Sequence, residues 1–202
     1  MSQSRSPQAV THQGLLNAAG AVLARNPGAA MAEIAEKAGV GRATLYRHFP
    51  TREDLIRALV LESLRQIDEA TQDIAIDRLS AEQALAEIVQ CIVPLGDRFR
   101  FLANEATVLN DPEIKATYSR QLDELGALVE AMKAEGSLDR AVPTAWVVAA
   151  IDALIYAAWN SVDDGAVARR DAAALAFRTV IRGLGPAASA AAQNRRSRSA
   201  KR

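Results

Sequence analysis

Apolar residues recur every three or four positions along most of the chain, which is the spacing of one face of an α-helix. The groups are separated by turn signals such as Asn-Pro-Gly at 26–28, Asn-Asp-Pro at 110–112 and Gly-Leu-Gly-Pro at 183–186. No stretch alternates apolar and polar residues for long enough to predict a strand. The pattern therefore predicts an all-α fold of about nine helices, with no internal repeat.

Each predicted helix carries its own apolar stripe. The first begins at Leu15, two short helices follow within 31–49, and a long helix begins at Thr51. The stripes in the rest of the chain start at Leu85, Phe99, Tyr118, Pro143 and about Ala168.

Charge is unevenly distributed, although the chain has no net charge. Residues 1–58 carry seven basic and four acidic residues, a net of +3, and residues 59–192 carry twelve and twenty, a net of −8. The last ten residues carry five basic residues and no acidic residue. This distribution indicates that the two ends meet a polyanion and that the body does not.

The end of the chain, AASAAAQNRRSRSAKR, is polar, basic and of low complexity, which predicts disorder. Such a tail can simply keep the protein soluble, or it can add sequence-independent affinity for phosphates. Both interpretations stay open.

Several kinds of protein are disfavoured by composition. Cys91 is the single cysteine, so neither a disulfide framework nor a zinc cluster is expected, and it fits a reducing compartment. The start, MSQSRSPQAV, lacks the apolar core of a signal peptide. Residues 142–162 are strongly apolar, but Asp152 lies at their centre and favours a helix buried in a bundle over a membrane span. We therefore expect a cytoplasmic protein.

The stretch AEIAEKAGVGRATLYRHFPTRED, residues 32–54, combines two very short helices with a tight turn. Gly39 supplies the backbone freedom for the turn, and Gly41 begins the second helix. Leu45 and Phe49 return to the core side of that helix. A helix this short needs its neighbours to hold it, which suits a helix-turn-helix whose second helix enters the major groove of DNA.

The second short helix leaves six residues facing outward or sideways: Arg42, Ala43, Thr44, Tyr46, Arg47 and His48. Thr51 can cap the next helix together with Asp54, in a T-x-x-D capping-box pattern. The N–H groups at that helix start, beside Arg52, are predicted to hold a phosphate.

The motif resembles the DNA-binding signature of the TetR family of bacterial transcriptional regulators. The Ala-Gly-Val turn, the Thr-Leu-Tyr-x-His-Phe run and the Pro-Thr-x-Glu-Asp-Leu restart match that signature in order and spacing, over roughly residues 11–58. The chain departs from the pattern at Ala30, where a threonine is common, and at Gly41, where a serine is common. Each change removes a hydroxyl and is expected to lower affinity for the DNA backbone.

Individual roles at the DNA follow from side-chain chemistry and from the resemblance. Arg42 either bonds the two acceptors of a guanine or contacts a phosphate. Ala43 permits close approach, Thr44 can reach a base edge or a phosphate, and Arg47 and Arg52 suit phosphates. The resemblance implies that Tyr46 and His48 bond the sugar-phosphate backbone, with simple packing as the alternative for Tyr46. A metal at His48 is not expected, because His12 is the only other histidine.

The resemblance also implies a homodimer on an inverted repeat of double-stranded DNA, because one short helix reads too few bases. The last two predicted helices carry small residues that permit close approach, with burial in the monomer core as the alternative. The predicted dimer residues are Ala145, Ala149, Ala150, Ala153, Ala157, Ala172, Ala176, Val180 and Leu184.

The middle helices are expected to enclose a pocket for a small, largely apolar effector that is not identified by the sequence. Glu105 or Asp152 can orient a polar group of that effector. The effector is expected to shift the dimer away from its DNA-binding arrangement, so that repression is the default. The candidate pocket residues are Phe99, Phe101, Tyr118, Trp146, Tyr156 and Trp159, each with a core position as the alternative.

The domain organisation predicted from these features is a disordered arm at 1–10, a helix-turn-helix domain at 11–58, a helical ligand-binding and dimerisation domain at 59–185, and a disordered basic tail at 186–202. No enzyme is expected, since the sequence lacks Glu-x-x-His pairs, a phosphate-binding glycine loop and a nucleophile elbow. No cofactor, metal or membrane partner is expected. A DNA-binding protein that acts through a protein partner remains the rival interpretation.

Overall fold

The computed structural model describes residues 12–96 and 110–186. This part of the chain forms eight α-helices and two 3-10 turns, Ile76–Arg78 and Val93–Leu95, and contains no strand. The all-α prediction is confirmed, whereas the helix predicted from Phe99 to Leu109 lies outside the described residues. The α-helices are α1 His12–Arg25, α2 Met31–Lys37, α3 Arg42–His48, α4 Arg52–Thr71, α5 Ala81–Ile92, α6 Pro112–Glu135, α7 Thr144–Asp163 and α8 Arg169–Leu184.

The described residues fall into two compact units. The first consists of residues 12–70 together with 95–96 and 110–119, and the second consists of 71–94 together with 120–186. Helix α6 therefore begins in the first unit and continues into the second.

The first unit is built around one apolar cluster to which α1, α2, α3, α4 and the start of α6 all contribute. Each fully buried leucine in such a cluster contributes about 1.5–3 kcal/mol relative to leaving it exposed. This shared core is what holds the two seven-residue helices, which are too short to be stable alone. Its fully buried members include Leu15, Leu23, Ile34, Leu45, Phe49, Leu55, Ile56 and Ile114.

In the second unit, α8 packs against both α5 and α7. Helix α5 begins with a capping box between Ser80 and Gln83. Helix α6 is followed by Gly136, which has a φ of +86°, and Arg140 donates hydrogen bonds to the carbonyls of Lys133 and Ala134 in the last turn of the helix. These bonds satisfy carbonyls that have no partner within the helix.

By length and composition, an 18-residue window of helix α7 is apolar enough to cross a membrane. Val147, Ile151 and Ile155 bury one face of it, yet only 17% of that window is buried in this chain. The expectation that this helix is buried within the bundle is therefore met on that face alone, since its other positions are half-buried or exposed in the single chain.

Candidate nucleic-acid interface

The turn between α2 and α3 is a Schellman motif formed by local backbone hydrogen bonds. Gly39 has a φ of +69°, in the left-handed region that favours glycine. The N–H of Val40 donates to the carbonyl of Ala35 at 3.0 Å, and the N–H of Gly39 donates to the carbonyl of Glu36 at 3.0 Å. Val40 also packs against the core cluster, which fixes the direction in which α3 leaves the turn.

Helix α3 is anchored by one face and free on the other. Leu45 is fully buried, and Phe49, which follows the helix, is 2% exposed. Within the described residues, neither Arg42 nor Arg47 makes an ion pair or a side-chain hydrogen bond, so both guanidinium groups are available to an external anion. The outward set predicted from the sequence is confirmed in its exposure: Arg42, Ala43, Tyr46 and Arg47 are exposed, and Thr44 and His48 are half-buried.

The first turns of both short helices lack a side-chain cap. Ala30 and Gly41 occupy the two N-cap positions, and neither residue can supply an oxygen to the free N–H groups that follow. The two departures from the family pattern noted in the sequence therefore fall on cap positions in the structure.

At the start of α4, Thr51 and Asp54 form the predicted capping box. The N–H of Asp54 donates to the Thr51 Oγ1 at 3.0 Å, and the N–H of Thr51 donates to the Asp54 Oδ2 at 3.0 Å. The Thr51 hydroxyl also donates to the same carboxylate oxygen at 2.8 Å. The Asp54 carboxylate therefore accepts from both donors of Thr51, and the phosphate contact predicted at this residue stays a prediction.

Arg52, which is half-buried, bonds the loop between α1 and α2. Its guanidinium donates to the carbonyl of Ala29 at 2.8 Å and to the carbonyl of Pro27 at 2.6 Å. These bonds tie the loop between α1 and α2 to the start of α4. Arg52 therefore has a structural role that no local sequence pattern signals, because the partners are 23 and 25 residues away, and its predicted phosphate contact stays a prediction.

The chain contains two histidines, and the fold brings them together. The ring centroids of His12 and His48 are 5.8 Å apart, and that of His12 lies 4.9 Å from the ring of Phe49. His12 thus supports the end of α3 from the start of α1. No local sequence pattern signals this contact of His12 with the end of α3. Among the described residues, no cluster of three or more histidine, cysteine or carboxylate groups could hold a metal ion.

The structure describes four of the six aromatic residues predicted to line one pocket, and the pocket itself stays a prediction. Tyr156 and Trp159 meet edge to face with their centroids 6.2 Å apart, and the buried Nε1 of Trp159 has no hydrogen-bond partner among the residues that the structure describes. Tyr118 packs against the core cluster of the first unit, and Trp146 is 64% exposed. The remaining candidates, Phe99, Phe101 and also Glu105, lie outside the described residues.

The predicted dimer residues separate into two groups. On α7, Ala145, Ala149, Ala153 and Ala157 are all exposed and lie along one face, which Trp146 borders. On α8, Ala172, Ala176 and Val180 are 1%, 5% and 1% exposed, so they are core residues of the second unit. The single chain thus favours the alternative of a core position for these three residues, and their part in a dimer surface stays a prediction. The outer side of α8 carries Leu175, which is 40% exposed.

The model of the family described as "Bacterial regulatory proteins, tetR family" matches residues 15–59, which contain the helix-turn-helix. The HTH-type transcriptional repressor LfrR of Mycolicibacterium smegmatis is 34% identical over 160 residues, covering 77% of this chain and 80% of LfrR.

The fold agrees with that likeness. The crystal structure of LfrR from Mycobacterium smegmatis in complex with proflavine superposes with a TM-score of 0.72 at 28% identity, covering 87% of this chain and 96% of that one. The ketosteroid transcriptional regulator KstR2 of Mycobacterium tuberculosis has a TM-score of 0.71 at 17% identity, covering 90% and 99% of the two chains, and shows the shared fold alone. With its motif, its relative and its fold in agreement, the chain belongs to the TetR family of bacterial regulatory proteins.

Proposed function

We propose that the protein is a homodimeric transcriptional repressor that binds an inverted-repeat operator and is released from it by a small, largely apolar ligand. The observation that carries the proposal is the outer face of α3, where Arg42 and Arg47 are exposed and make no ion pair or side-chain hydrogen bond with the described part of the chain. Cationic side chains on a helix held only by its opposite face suit insertion into a major groove.

The six outward residues of α3 divide by position. Arg42 and Ala43 lie in its first turn, where a recognition helix meets base edges, and Arg42 suits a guanine. Thr44 can reach a base or a phosphate. Tyr46, Arg47 and His48 lie further along and suit the sugar-phosphate backbone, which sets the register without reading sequence.

The second copy is proposed to cover the exposed alanine face of α7. Ala145, Ala149, Ala153 and Ala157 permit close approach of two helices, and Trp146 at the same surface can bury a large apolar area. An uncovered apolar face of this length favours a protein interface. The exposed Leu175 on α8 is a second candidate contact.

The effector is proposed to bind in the helical body near Tyr156 and Trp159. The edge-to-face pair offers aromatic surface, and the unpartnered Nε1 of Trp159 offers one donor to a polar atom of the ligand. The relative LfrR has been crystallised with proflavine, so proflavine is a suitable first probe for this chain.

The test begins with selection of DNA from a random duplex pool at roughly physiological salt, followed by sequencing of the bound fraction. Enrichment of an inverted repeat supports specific readout and two-fold symmetry together. Retention of DNA without a shared sequence would replace the proposal with a general DNA-binding function. Addition of proflavine to the selected complex then tests release, and a set of other apolar compounds follows if proflavine is inactive.

Arg42→Ala separates base reading from phosphate binding. Loss of one base preference, at a cost of about 1–3 kcal/mol on the preferred site, supports a base contact. An equal loss on every sequence makes Arg42 a phosphate contact. Arg78→Ala, which removes an exposed arginine in the second unit, is the matched control and should leave DNA affinity unchanged.

Ala149→Asp tests the dimer. A charge in the middle of the alanine face should give a monomer at micromolar concentration in sedimentation and weaken operator binding. Ala127→Asp places the same charge on an exposed position of α6 and should leave the dimer intact. A wild-type protein that sediments as a monomer at this concentration would refute the dimer.

A further inference from the structure

The start of α6 is held by the Asp111 carboxylate, which accepts hydrogen bonds from both α6 and α4. One oxygen of Asp111, Oδ1, accepts from the N–H groups of Glu113 at 3.0 Å and Ile114 at 3.1 Å, which caps the helix. The other oxygen, Oδ2, accepts from the Nε of Arg57 on α4 at 2.7 Å. The same guanidinium reaches the Glu113 Oε2 at 2.5 Å. The capped helix start is therefore tied directly to the side of α4.

The electrostatics of this contact agree with its geometry. The Arg57 guanidinium, together with the backbone N–H groups, holds the pKa of Asp111 below its usual range, and the two carboxylates raise the pKa of Arg57. The Asp111 side chain is 21% exposed, whereas that of Glu113 is 63% exposed. Asp111 is therefore the more sheltered partner, and Glu113 adds an exposed pair of the kind that contributes little.

The attachment is reinforced by apolar contacts within the same unit. Ile114 is 2% exposed and belongs to the cluster that also contains Leu45 and Phe49 at α3. Tyr118, one turn further along α6, packs against that cluster. The first turns of α6 are consequently part of the core that supports the recognition helix, and Arg57 and Asp111 fix where those turns lie along α4.

We propose that Arg57 and Asp111 are positioning residues that couple α6 to DNA binding. The inference deepens the proposed function and depends on it. Because α6 continues unbroken to Glu135 in the second unit, a change in α6 that accompanies ligand binding is passed to the core under α3 through this ion pair. Neither residue touches DNA in this mechanism. Their ion pair transmits a conformational change between α6 and the core that supports α3.

The coupling can be measured without the effector, because thermodynamic linkage is reciprocal. If a change in α6 alters the free energy of DNA binding, DNA binding alters the conformational stability of α6 by the same free energy. The experiment is hydrogen–deuterium exchange of the full chain, with and without the duplex recovered by selection. In the wild-type protein, DNA should slow exchange of the amides at 113–118 by about fivefold, which is the lower end of common coupling factors.

Three variants test the ion pair. Asp111→Asn keeps a good helix cap but loses the charge, and Arg57→Gln loses the same pair from the other side. Both should reduce the DNA-dependent slowing at 113–118 to less than about twofold, while DNA affinity falls by less than about threefold because the outer face of α3 is unchanged. Glu113→Gln removes only the exposed pair and should behave as the wild type.

Several results would overturn the inference. One is unchanged slowing at 113–118 in Asp111→Asn and Arg57→Gln, and another is no slowing in the wild-type protein bound to DNA. If these two variants have a lower melting temperature and also bind DNA more than about tenfold more weakly, the ion pair has a structural role only. If selection recovers no common sequence, the proposed function is wrong whatever the exchange results show. The same exchange measurement with a mixed-sequence duplex at low salt then tests whether the ion pair couples α6 to DNA binding.

Discussion

The turn between α2 and α3 offers a test of backbone conformation that is free of side-chain clashes. Gly39 has a φ of +69° and Gly41, two residues later, has a φ of −67°. A Cβ built on either glycine meets no atom within 4 Å. The same substitution at the two positions therefore isolates the cost of the left-handed conformation.

For Gly39→Ala, the left-handed conformation costs roughly 1–2 kcal/mol for a residue with a Cβ. The lower entropy of the unfolded chain offsets about 0.5 kcal/mol of that cost, which leaves a net loss of about 0.5–1.5 kcal/mol. In a chain of this size each kcal/mol lowers the melting temperature by about 2–4 °C, so we expect a decrease of about 1–6 °C.

Gly41→Ala is the matched control. The same unfolded-state gain applies, and the loss of a glycine N-cap offsets it by a similar amount, so the melting temperature should change little. Gly39→Asn should cost less than Gly39→Ala, because asparagine enters the left-handed region more readily. Thermal unfolding followed by circular dichroism measures all three variants. Equal effects of alanine at the two glycines, or stabilisation by Gly39→Ala, would refute the reasoning.

Three further predictions concern packing, capping and charge. Leu45→Ala, at a fully buried position, should cost about 2–5 kcal/mol in urea unfolding and weaken operator binding, and an unchanged stability would contradict the proposed core role. Ala30→Ser supplies the missing cap of α2 and should add about 0.5–1 kcal/mol by the same assay, whereas a loss would show that its hydroxyl finds no N–H partner. Hydrogen bonds from Arg65, and also from Gln66 and Gln13, lower the pKa of Glu62 from 4.5 to about 2. The ionised Glu62 carboxylate therefore stabilises the folded state above pH 4.5, and this contribution is lost as the pH falls toward 2. Glu62→Gln should flatten the stability profile in that acidic window, and a profile identical to the wild type would contradict the assignment.

The sequence predicted the parts of the site that depend on near neighbours in the chain. The helical period, the glycine turn, the Thr51–Asp54 cap and the division of α3 into an inner and an outer face all follow from interactions spanning five residues or fewer. Such contacts can be read from spacing alone, because the geometry of one helical turn is fixed.

The tertiary structure decided which partners distant residues find. Arg57 meets Asp111 across 54 positions, Arg52 turns inward to Ala29, and His12 reaches His48, and no local pattern distinguishes these pairs from other charged or aromatic residues.

The helices at the C-terminal end show the same limit most clearly. Alanine stripes on α7 and α8 look alike in the sequence. The α7 stripe, which includes Ala149, is nevertheless exposed, whereas the α8 stripe, which includes Ala176, is buried. An alanine side chain offers little apolar area, so burial of its face is settled by the larger residues around it and by the elements that pack there. The sequence by itself determined a helical regulator with a DNA-reading motif. Which sides of its last helices face inward was decided by the tertiary structure, because the burial of a helix face depends on the other helices that pack against it.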